Sequence, residues 1–155
     1  MEPEHRTAAR LLPVNGAGEV LLVEGRDPAR PEEWHWVTVG GAVDEGETLP
    51  EAAVRELVEE TGIVVGVEEL TEPVHTGSYP FSWAGRDYVN HATFFAVALD
   101  RAVEVSLAGL EPAEVGNVRG AGWWTPEALA RAGTAVTPDL PEIMSAAIRA
   151  VRGEP

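Results

Sequence analysis

The spacing of apolar residues along the chain predicts a hairpin near the amino terminus. Residues 20–23 form an unbroken apolar run inside the segment 19–24, which is typical of a buried strand. Residues 7–14 mix small, basic and apolar side chains and are consistent with a strand as well. The turn-forming sequence at 15–18 separates the two segments, so we expect them to pair with each other.

Further along the chain, strand-like and helix-like patterns alternate. The strand predictions are 34–39, 74–83, 88–99 and 118–124, and residues 84–87 predict a second hairpin turn. Residues 63–67 return to β-branched side chains, and 25–33, 40–47 and 101–116 are predicted to be loops. Helices are predicted at 50–61, from 125 onward for a short stretch, and from 137 to about 151. This mixture favours an α+β or α/β/α sandwich with a mixed sheet.

The helix at 50–61 carries the clearest start and stop signals. Thr48 and Glu51 have the spacing of a capping box, and Pro50 suits the first turn. Gly62 stands at the natural C-cap position. A helical wheel places Val54, Leu57 and Val58 together, and we expect that face to be buried.

Three carboxylates occupy the other face of this helix. Glu56, Glu59 and Glu60 fall within an arc of about 100°, and Arg55 is placed to pair with Glu59. Their mutual repulsion is relieved either by solvent and salt, on an ordinary solvated face, or by a hard divalent cation. The glycine-rich acidic loop just before the helix adds a close backbone approach and carbonyl oxygens. Phosphoryl transfer to water requires such an oxygen-rich corner.

Composition and charge narrow the class of protein. The chain has 155 residues, which fits one domain over 1–155. With 11 basic and 26 acidic residues its net charge is −15, so binding of nucleic acid through a basic surface is not expected. The absence of cysteine excludes disulfides, thiolate metal sites and cysteine nucleophiles. No apolar stretch is long enough for a membrane helix and the amino terminus lacks a signal-peptide pattern, so we expect a cytoplasmic protein.

The stretch 41–63, GAVDEGETLPEAAVRELVEETGI, resembles the Nudix box G-x5-E-x7-R-E-U-x-E-E-x-G-U, in which U is a bulky aliphatic residue. Gly41, Glu47, the Arg55-Glu56-Leu57 triplet, the Glu59-Glu60 pair and Gly62-Ile63 occupy its fixed positions. Relatives often enter the box through Pro-Gly-Gly, where this chain has Val39-Gly40-Gly41, so the loop is expected to be slightly softer.

The resemblance implies the Nudix fold, an α/β/α sandwich with a mixed β-sheet. It also implies hydrolysis of a nucleoside diphosphate linked to another moiety, dependent on Mg²⁺ or on Mn²⁺ in its place. Water would attack phosphorus with a glutamate as base. By this resemblance the metal ligands are Glu56, Glu59, Glu60 and the carbonyl of Gly40, and Arg55 orients the glutamates. Glu47 braces the loop or reaches metal through water.

The general base and the substrate contacts are less well marked. The base is Glu56 or a later loop acid, of which Glu114 is preferred over Glu111 and Glu104. Aromatic side chains that stack on a base and arginines that meet phosphate give the substrate-binding candidates Arg26, Trp36 and Tyr79, with Glu47 added from the box. Each of these side chains also has an ordinary alternative in the core or on the surface.

Two functions remain open at this stage. The first is a Nudix pyrophosphohydrolase acting on a small-molecule nucleotide or other diphosphate; the second is a catalytically silent Nudix-fold nucleotide sensor. The intact set of three acids favours the enzyme. An isopentenyl-diphosphate isomerase of related fold needs a catalytic cysteine, which the chain lacks. Neither a nucleic acid nor a membrane is an expected partner, whereas a homodimer is compatible with the sequence, since many relatives form one.

Overall fold

The computed structural model describes residues 2–99 and 103–154. The strands are β1 (Glu4–Val14), β2 (Val20–Gly25), β3 (His35–Ala42), β4 (His75–Trp83), β5 (Arg86–Ala98) and β6 (Val118–Trp124). The helices are α1 (Leu49–Thr61), α2 (Pro126–Ala132) and α3 (Leu140–Val151), with a 3₁₀ turn at Val67–Glu69. No helix in this described part of the chain is both long and apolar enough to cross a membrane.

The six strands form one mixed sheet with helices on both of its faces. Their order is β4-β5-β1-β3-β2-β6, in which β1 and β5 run parallel and the other neighbours are antiparallel. One core joins a face of the sheet to α1, through side chains such as Leu11, Val39 and Leu57. The other core joins the opposite face to α2 and α3, through Leu12, Leu129 and Met144. The expected α/β/α sandwich with a mixed sheet is therefore confirmed.

The pairing of the first two strands differs from the expected hairpin. The turn at 15–18 forms, but the direct β1–β2 pairing is the single pair Val14 with Val20. Beyond that pair β3 lies between them and bonds to β1 on one side and to β2 on the other. Sequence proximity favoured the local hairpin, whereas the longer ladders come from β3 and β5, which are remote in sequence.

One loop boundary also differs from the prediction, whereas residues 103–116 agree with it. Gly40 and Gly41 belong to the end of β3, so the loop before α1 is shorter than 40–47. Residues 63–67 form no strand. In the predicted loop 101–116, residues 103–116 lack a named strand or helix, and 101–102 lie outside the described residues.

Helix α1 begins and ends as predicted, but its buried face is different. The capping box of Thr48 and Glu51 is present, and Gly62 closes the helix in the left-handed conformation with φ 78°. Glu56 and Glu60 are only 7% and 3% exposed, whereas Val58 is 39% exposed. The buried arc is centred on Ala52, Ala53, Glu56, Leu57 and Glu60. The small alanines let the acidic face approach the sheet, so burial of Val58 was wrongly expected.

Candidate functional site

A cleft of about 740 Å³ opens where α1 meets the ends of β1 and β3. Arg10, Gly40, Glu56 and Glu60 line it on one side, and Glu114 lines it from the loop before β6. Beyond them the cleft continues to β4 and β5 and to the amino-terminal part of α3. We call this volume the central cleft.

Arg55 organises the acidic residues at the rim of the central cleft. Its Nε and Nη2 donate to the two carboxylate oxygens of Glu47 at 2.7 and 3.0 Å, a bidentate pair. Its Nη1 donates to Glu56 and to Glu59, both at 3.1 Å. Nη2 also donates to the Ala42 carbonyl at 3.0 Å, which ties the end of β3 to the helix. Because a guanidinium is planar and always charged, it fixes the directions of three carboxylates at once.

The end of β3 approaches α1 at two glycines. The backbone N–H of Gly40 donates to Glu60 Oε2 at 2.8 Å. A Cβ at Gly41 would stand 2.6 Å from Glu56 Oε1, so a side chain there would displace this carboxylate. Gly40 has φ 148°, and a Cβ there would lie 2.8 Å from Arg10 Cα. Both glycines are therefore needed for the acidic face to reach the sheet.

Burial and charge shift the titration of the cleft acids. Desolvation raises the pKa of Glu56 to about 7, although Arg55 acts to lower it. Desolvation also raises the pKa of Glu60 well above its usual range, against the opposing charge of Arg10. The Arg10 guanidinium donates through Nε to Thr38 Oγ1 at 2.9 Å and through Nη2 to the Thr38 carbonyl. The site thus holds carboxylates whose ionisation needs further positive charge.

Glu114 reaches the central cleft from a tight turn. Its backbone accepts from Asn117 N at 2.8 Å and from Val118 N at 3.0 Å. Burial raises the pKa of Glu114, whereas hydrogen bonds from the Glu111 backbone and the Glu60 side chain lower it. The turn is fastened to the end of β2, because Arg26 N donates to the Asn117 carbonyl at 2.9 Å and Arg26 Nε donates to Asn117 Oδ1 at 3.1 Å.

The sequence-predicted site residues fall into two groups. Gly40, Glu56, Glu60 and Glu114 line the cleft, and Arg55 lines it too while also holding Glu47 and Glu59 at the rim. Of the other candidates, Arg26 and Tyr79 line the cleft as well. Trp36 packs instead against Trp124, with ring centroids 5.3 Å apart. Tyr79 is held by hydrogen bonds of 2.9 Å with His75 and 2.7 Å to Asp139.

Sequence reasoning missed Arg10, Thr38, Asn117 and Arg6. Arg6 and Arg10 lie four residues apart in β1, so a strand places them on one face, and that face leads into the cleft. Two arginines four residues apart were a usable signal, although Arg6 precedes the predicted strand bounds of 7–14. Asn117 carried no signal, because its importance comes from a contact with Arg26, 91 positions away.

The donor chemistry of this site fits a hard divalent cation. Two desolvated carboxylates, a further carboxylate on the facing loop and a strand-end carbonyl supply oxygen ligands. Among residues 2–99 and 103–154, no group of three or more His, Asp or Glu side chains is arranged to hold a metal ion by itself. Mg²⁺ usually takes one or two protein carboxylates and keeps waters and substrate phosphates, so an open set suffices.

Without metal, we expect the stability of the protein to fall as the pH rises from 4.5 to about 7. The folded protein keeps the Glu56 proton up to about pH 7, whereas the unfolded chain releases it near the ordinary value of 4.5. The folded state therefore binds more protons in this window, and raising the pH favours unfolding. A divalent cation needs the ionised carboxylate, so Mg²⁺ should raise the melting temperature more at about pH 8 than at about pH 5.5.

Thermal melts in EDTA and in Mg²⁺ across this range measure the effect. Glu56→Gln should flatten part of the decline in EDTA, because it removes the shifted group. Glu32→Gln is the matched control, since Glu32 is an exposed carboxylate far from the helix in sequence. A Mg²⁺ effect that is equal at both pH values would contradict the assignment of buried carboxylates to the metal.

Known proteins share the fold of this chain and part of its sequence. A family model described as the NUDIX domain matches residues 4–146. The curated protein dihydroneopterin triphosphate diphosphatase of Escherichia coli K12 is 50% identical over 52 residues, which are 34% of this chain and 32% of that protein. The match thus spans about a third of the length of that relative.

Solved structures resemble the chain over nearly its whole length. The crystal structure of a MutT protein from Methanosarcina mazei Go1 superposes with a TM-score of 0.67 at 21% identity and covers 94% of both chains. A binary complex of an Ap4A hydrolase from C. elegans superposes with a TM-score of 0.58 at 22% identity and covers 91% of this chain and 93% of that one. At 21% and 22% sequence identity, these similarities establish a shared fold and nothing further.

Proposed function

The chain belongs to the Nudix family, and from this premise we propose that it is a divalent-metal-dependent hydrolase of a diphosphate linkage in a small-molecule nucleotide or related compound. The observation that supports this most strongly is the buried acidic face of α1. Glu56 and Glu60 are desolvated inside a cleft, where Arg55 and Arg10 offset the cost of burying their charge only in part. A metal-bound diphosphate supplies the compensation.

We assign each residue a role from its contacts. Glu56, Glu59, Glu60 and the Gly40 carbonyl are the proposed ligands, with Mg²⁺ or Mn²⁺ as the cation. When bound, the cation would neutralise the diphosphate and lower the pKa of a water. Arg55 is a positioning residue, because it holds Glu56 and Glu59 through one nitrogen.

The reaction breaks one phosphorus–oxygen bond of the anhydride. A water oxygen attacks phosphorus, the second phosphate group leaves with the bonding electrons, and a carboxylate accepts the proton of the water. Glu56 and Glu114 are the two candidates for this base, since both line the cleft and burial raises the pKa of both carboxyls. A raised pKa makes a carboxylate a better proton acceptor near neutral pH.

A catalytically silent nucleotide sensor is the second candidate. A sensor needs the cleft but not an ordered set of acids around an arginine. The four Arg55 contacts to carboxylates are consistent with selection for geometry and so favour the enzyme.

A hydrolysis panel with Mg²⁺, with Mn²⁺ and with EDTA tests the proposal. It includes dihydroneopterin triphosphate, dinucleoside polyphosphates, normal and oxidised nucleoside triphosphates, ADP-ribose, NADH, nucleotide sugars and coenzyme A. Metal-dependent release of phosphate or diphosphate from one class supports the enzyme. Metal-dependent thermal shifts by these compounds without any turnover would support the sensor.

Asn117 provides a further test of the role of Glu114. We expect Asn117→Ala to lower kcat about tenfold and to change KM less, because it loosens the turn that aims Glu114 while the backbone bond from Arg26 N to the Asn117 carbonyl remains. Asn117→Asp keeps the acceptor for Arg26 Nε and should restore most of the rate. Steady-state kinetics of both variants measure this. An Asn117→Ala enzyme with wild-type kcat would leave Glu56 as the preferred base.

A further inference from the structure

Arg6 in β1 is a half-buried cation that lines the central cleft. Its Nε donates to Asn90 Oδ1 at 3.4 Å, and among the described residues it forms no ion pair. Its terminal nitrogens therefore have no acceptor there. In a chain of net charge −15, carboxylates that would pair with an arginine are abundant. A guanidinium kept free of them in a cleft is available to a ligand.

Two aromatic rings determine where the Arg6 guanidinium lies. Phe81 and Tyr88 are cross-strand partners of β4 and β5, with centroids 5.1 Å apart and ring planes inclined by 19°. Arg6 Cζ lies 5.3 Å from the first centroid and 4.9 Å from the second. All four side chains of this group, Arg6, Phe81, Tyr88 and Asn90, line the cleft. The rings and the amide together hold the donor fork in a fixed place.

A second aromatic–arginine group, near the end of β2, is not comparable. Trp34 lies between Arg26 and Arg119, with distances of 4.7 and 4.0 Å from the guanidinium carbons to the ring centroid. Both arginines already have acceptors, since Arg26 donates to Asn117 and Arg119 donates to both oxygens of Glu24 at 2.8 and 3.0 Å. Arg6 differs from these two in that its one side-chain acceptor among the described residues is the Asn90 amide oxygen at 3.4 Å, which leaves both of its terminal nitrogens without an acceptor.

We propose that Arg6 is a specificity-determining residue that binds the oxo edge of a planar heterocycle, and that the substrate carries a guanine-type ring. The inference rests on the proposed function, since the ring is the part of the substrate away from the diphosphate. A guanidinium fork matches two adjacent acceptors, as in the O6 and N7 atoms of guanine. Asn90 reinforces this choice, because its oxygen is used by Arg6 and its amide nitrogen is left as a donor.

Adenine does not satisfy the same donors. Its corresponding edge has one acceptor and one amino donor, and the amino group would face the donors of Arg6. Phe81 and Tyr88 position the guanidinium and do not by themselves discriminate between the two purines. The predicted preference for an oxo purine over adenine therefore depends on Arg6.

The test compares GTP, ITP and ATP as substrates of the 155-residue chain in Mg²⁺. We expect kcat/KM for GTP and ITP to exceed that for ATP by roughly tenfold or more, because ITP has the same oxo edge as GTP. Arg6→Gln should remove this preference by lowering kcat/KM for GTP and ITP while leaving that for ATP unchanged or raised, since glutamine suits adenine. Equal values for all three with the wild-type protein would overturn the proposal.

Arg6→Lys separates ring recognition from phosphate binding. Lysine keeps the charge but not the planar fork, so it should behave like Arg6→Gln if Arg6 binds the ring. If Arg6→Lys retains wild-type rates and Arg6→Gln weakens GTP, ATP and inhibition by tripolyphosphate equally, Arg6 is a phosphate contact and the proposal is wrong. Arg86→Gln is the control, because Arg86 lies over Tyr88 at 5.7 Å but is exposed and pairs with Glu4.

A binding experiment keeps this inference separate from the proposed function. Trp83 lines the cleft, so nucleotide binding can be followed by quenching of tryptophan fluorescence. If no nucleotide is hydrolysed but GTP binds at least tenfold more tightly than ATP and Arg6→Gln abolishes the difference, hydrolysis is wrong and the ring assignment stands. If nucleotides are hydrolysed or bound with no dependence on Arg6, the ring assignment is wrong.

Discussion

Replacing Glu56 with glutamine is expected to lower kcat about 10³-fold while leaving the fold intact. Glutamine has the same shape and can still accept from Arg55 Nη1, which lies 3.1 Å from Glu56 Oε1. It lacks the negative charge that a divalent cation and a proton-accepting base both require. It also relieves the desolvation cost of a carboxylate only 7% exposed, so the metal-free variant should be at least as stable as the wild type. Steady-state kinetics and thermal melts measure the two effects.

Glu51→Gln is the matched control on the same helix. Glu51 accepts from Thr48 N at 2.9 Å in the capping box, and glutamine preserves that contact. Glu51 is exposed and does not line the cleft, so its variant should keep full activity. A Glu56→Gln protein with more than about a tenth of the wild-type kcat would exclude both roles for Glu56.

The features predicted well from the sequence are those set by local chemistry. The limits of α1 follow from Thr48, Glu51 and Gly62, which act within one turn of the helix ends. The β4–β5 hairpin forms as predicted, although its turn is 84–85 and not 84–87, because Arg86 and Asp87 already pair with β4; β6 has the predicted bounds. Likewise Arg55 and Glu59 pair at 3.1 Å, as their spacing on the helix requires.

The features predicted poorly depend on contacts between distant segments. The helical wheel assigned Val54 and Val58 to the buried face. It did not consider Ala52 and Ala53, whose small side chains let the acidic side of the helix pack close to the sheet. An acidic helix face can be buried only where donors or positive charge lie opposite it. Here the Arg10 guanidinium and the Gly40 N–H supply these for Glu60. These partners lie 50 and 20 residues from Glu60 in the sequence, so the sequence of the helix alone does not predict the contacts.

Gly40→Ala is expected to cost about 3 kcal/mol or more in the free energy of unfolding and to abolish activity. Its backbone has φ 148°, a region that side-chain-bearing residues rarely adopt. The added Cβ would meet the Ala9 carbonyl and would lie 2.8 Å from Arg10 Cα, and both are backbone atoms of β1 that cannot turn aside. Relief requires β1 and β3 to separate, which pulls the Gly40 amide from Glu60. Urea unfolding and kinetics measure both consequences.

Two other glycines separate the causes of that loss. Gly46→Ala meets no atom within 4 Å but has φ +81°, so it reports backbone strain alone and should lose about 1 kcal/mol. Gly120→Ala in β6 has room and no such φ, so it should match the wild type. If Gly40→Ala unfolds no more easily than Gly46→Ala, the close approach of β1 to β3 is not what fixes this end of the strand. If it does unfold more easily, and activity falls with it, then the contact that holds the two strands together also sets the position of Glu60 in the cleft.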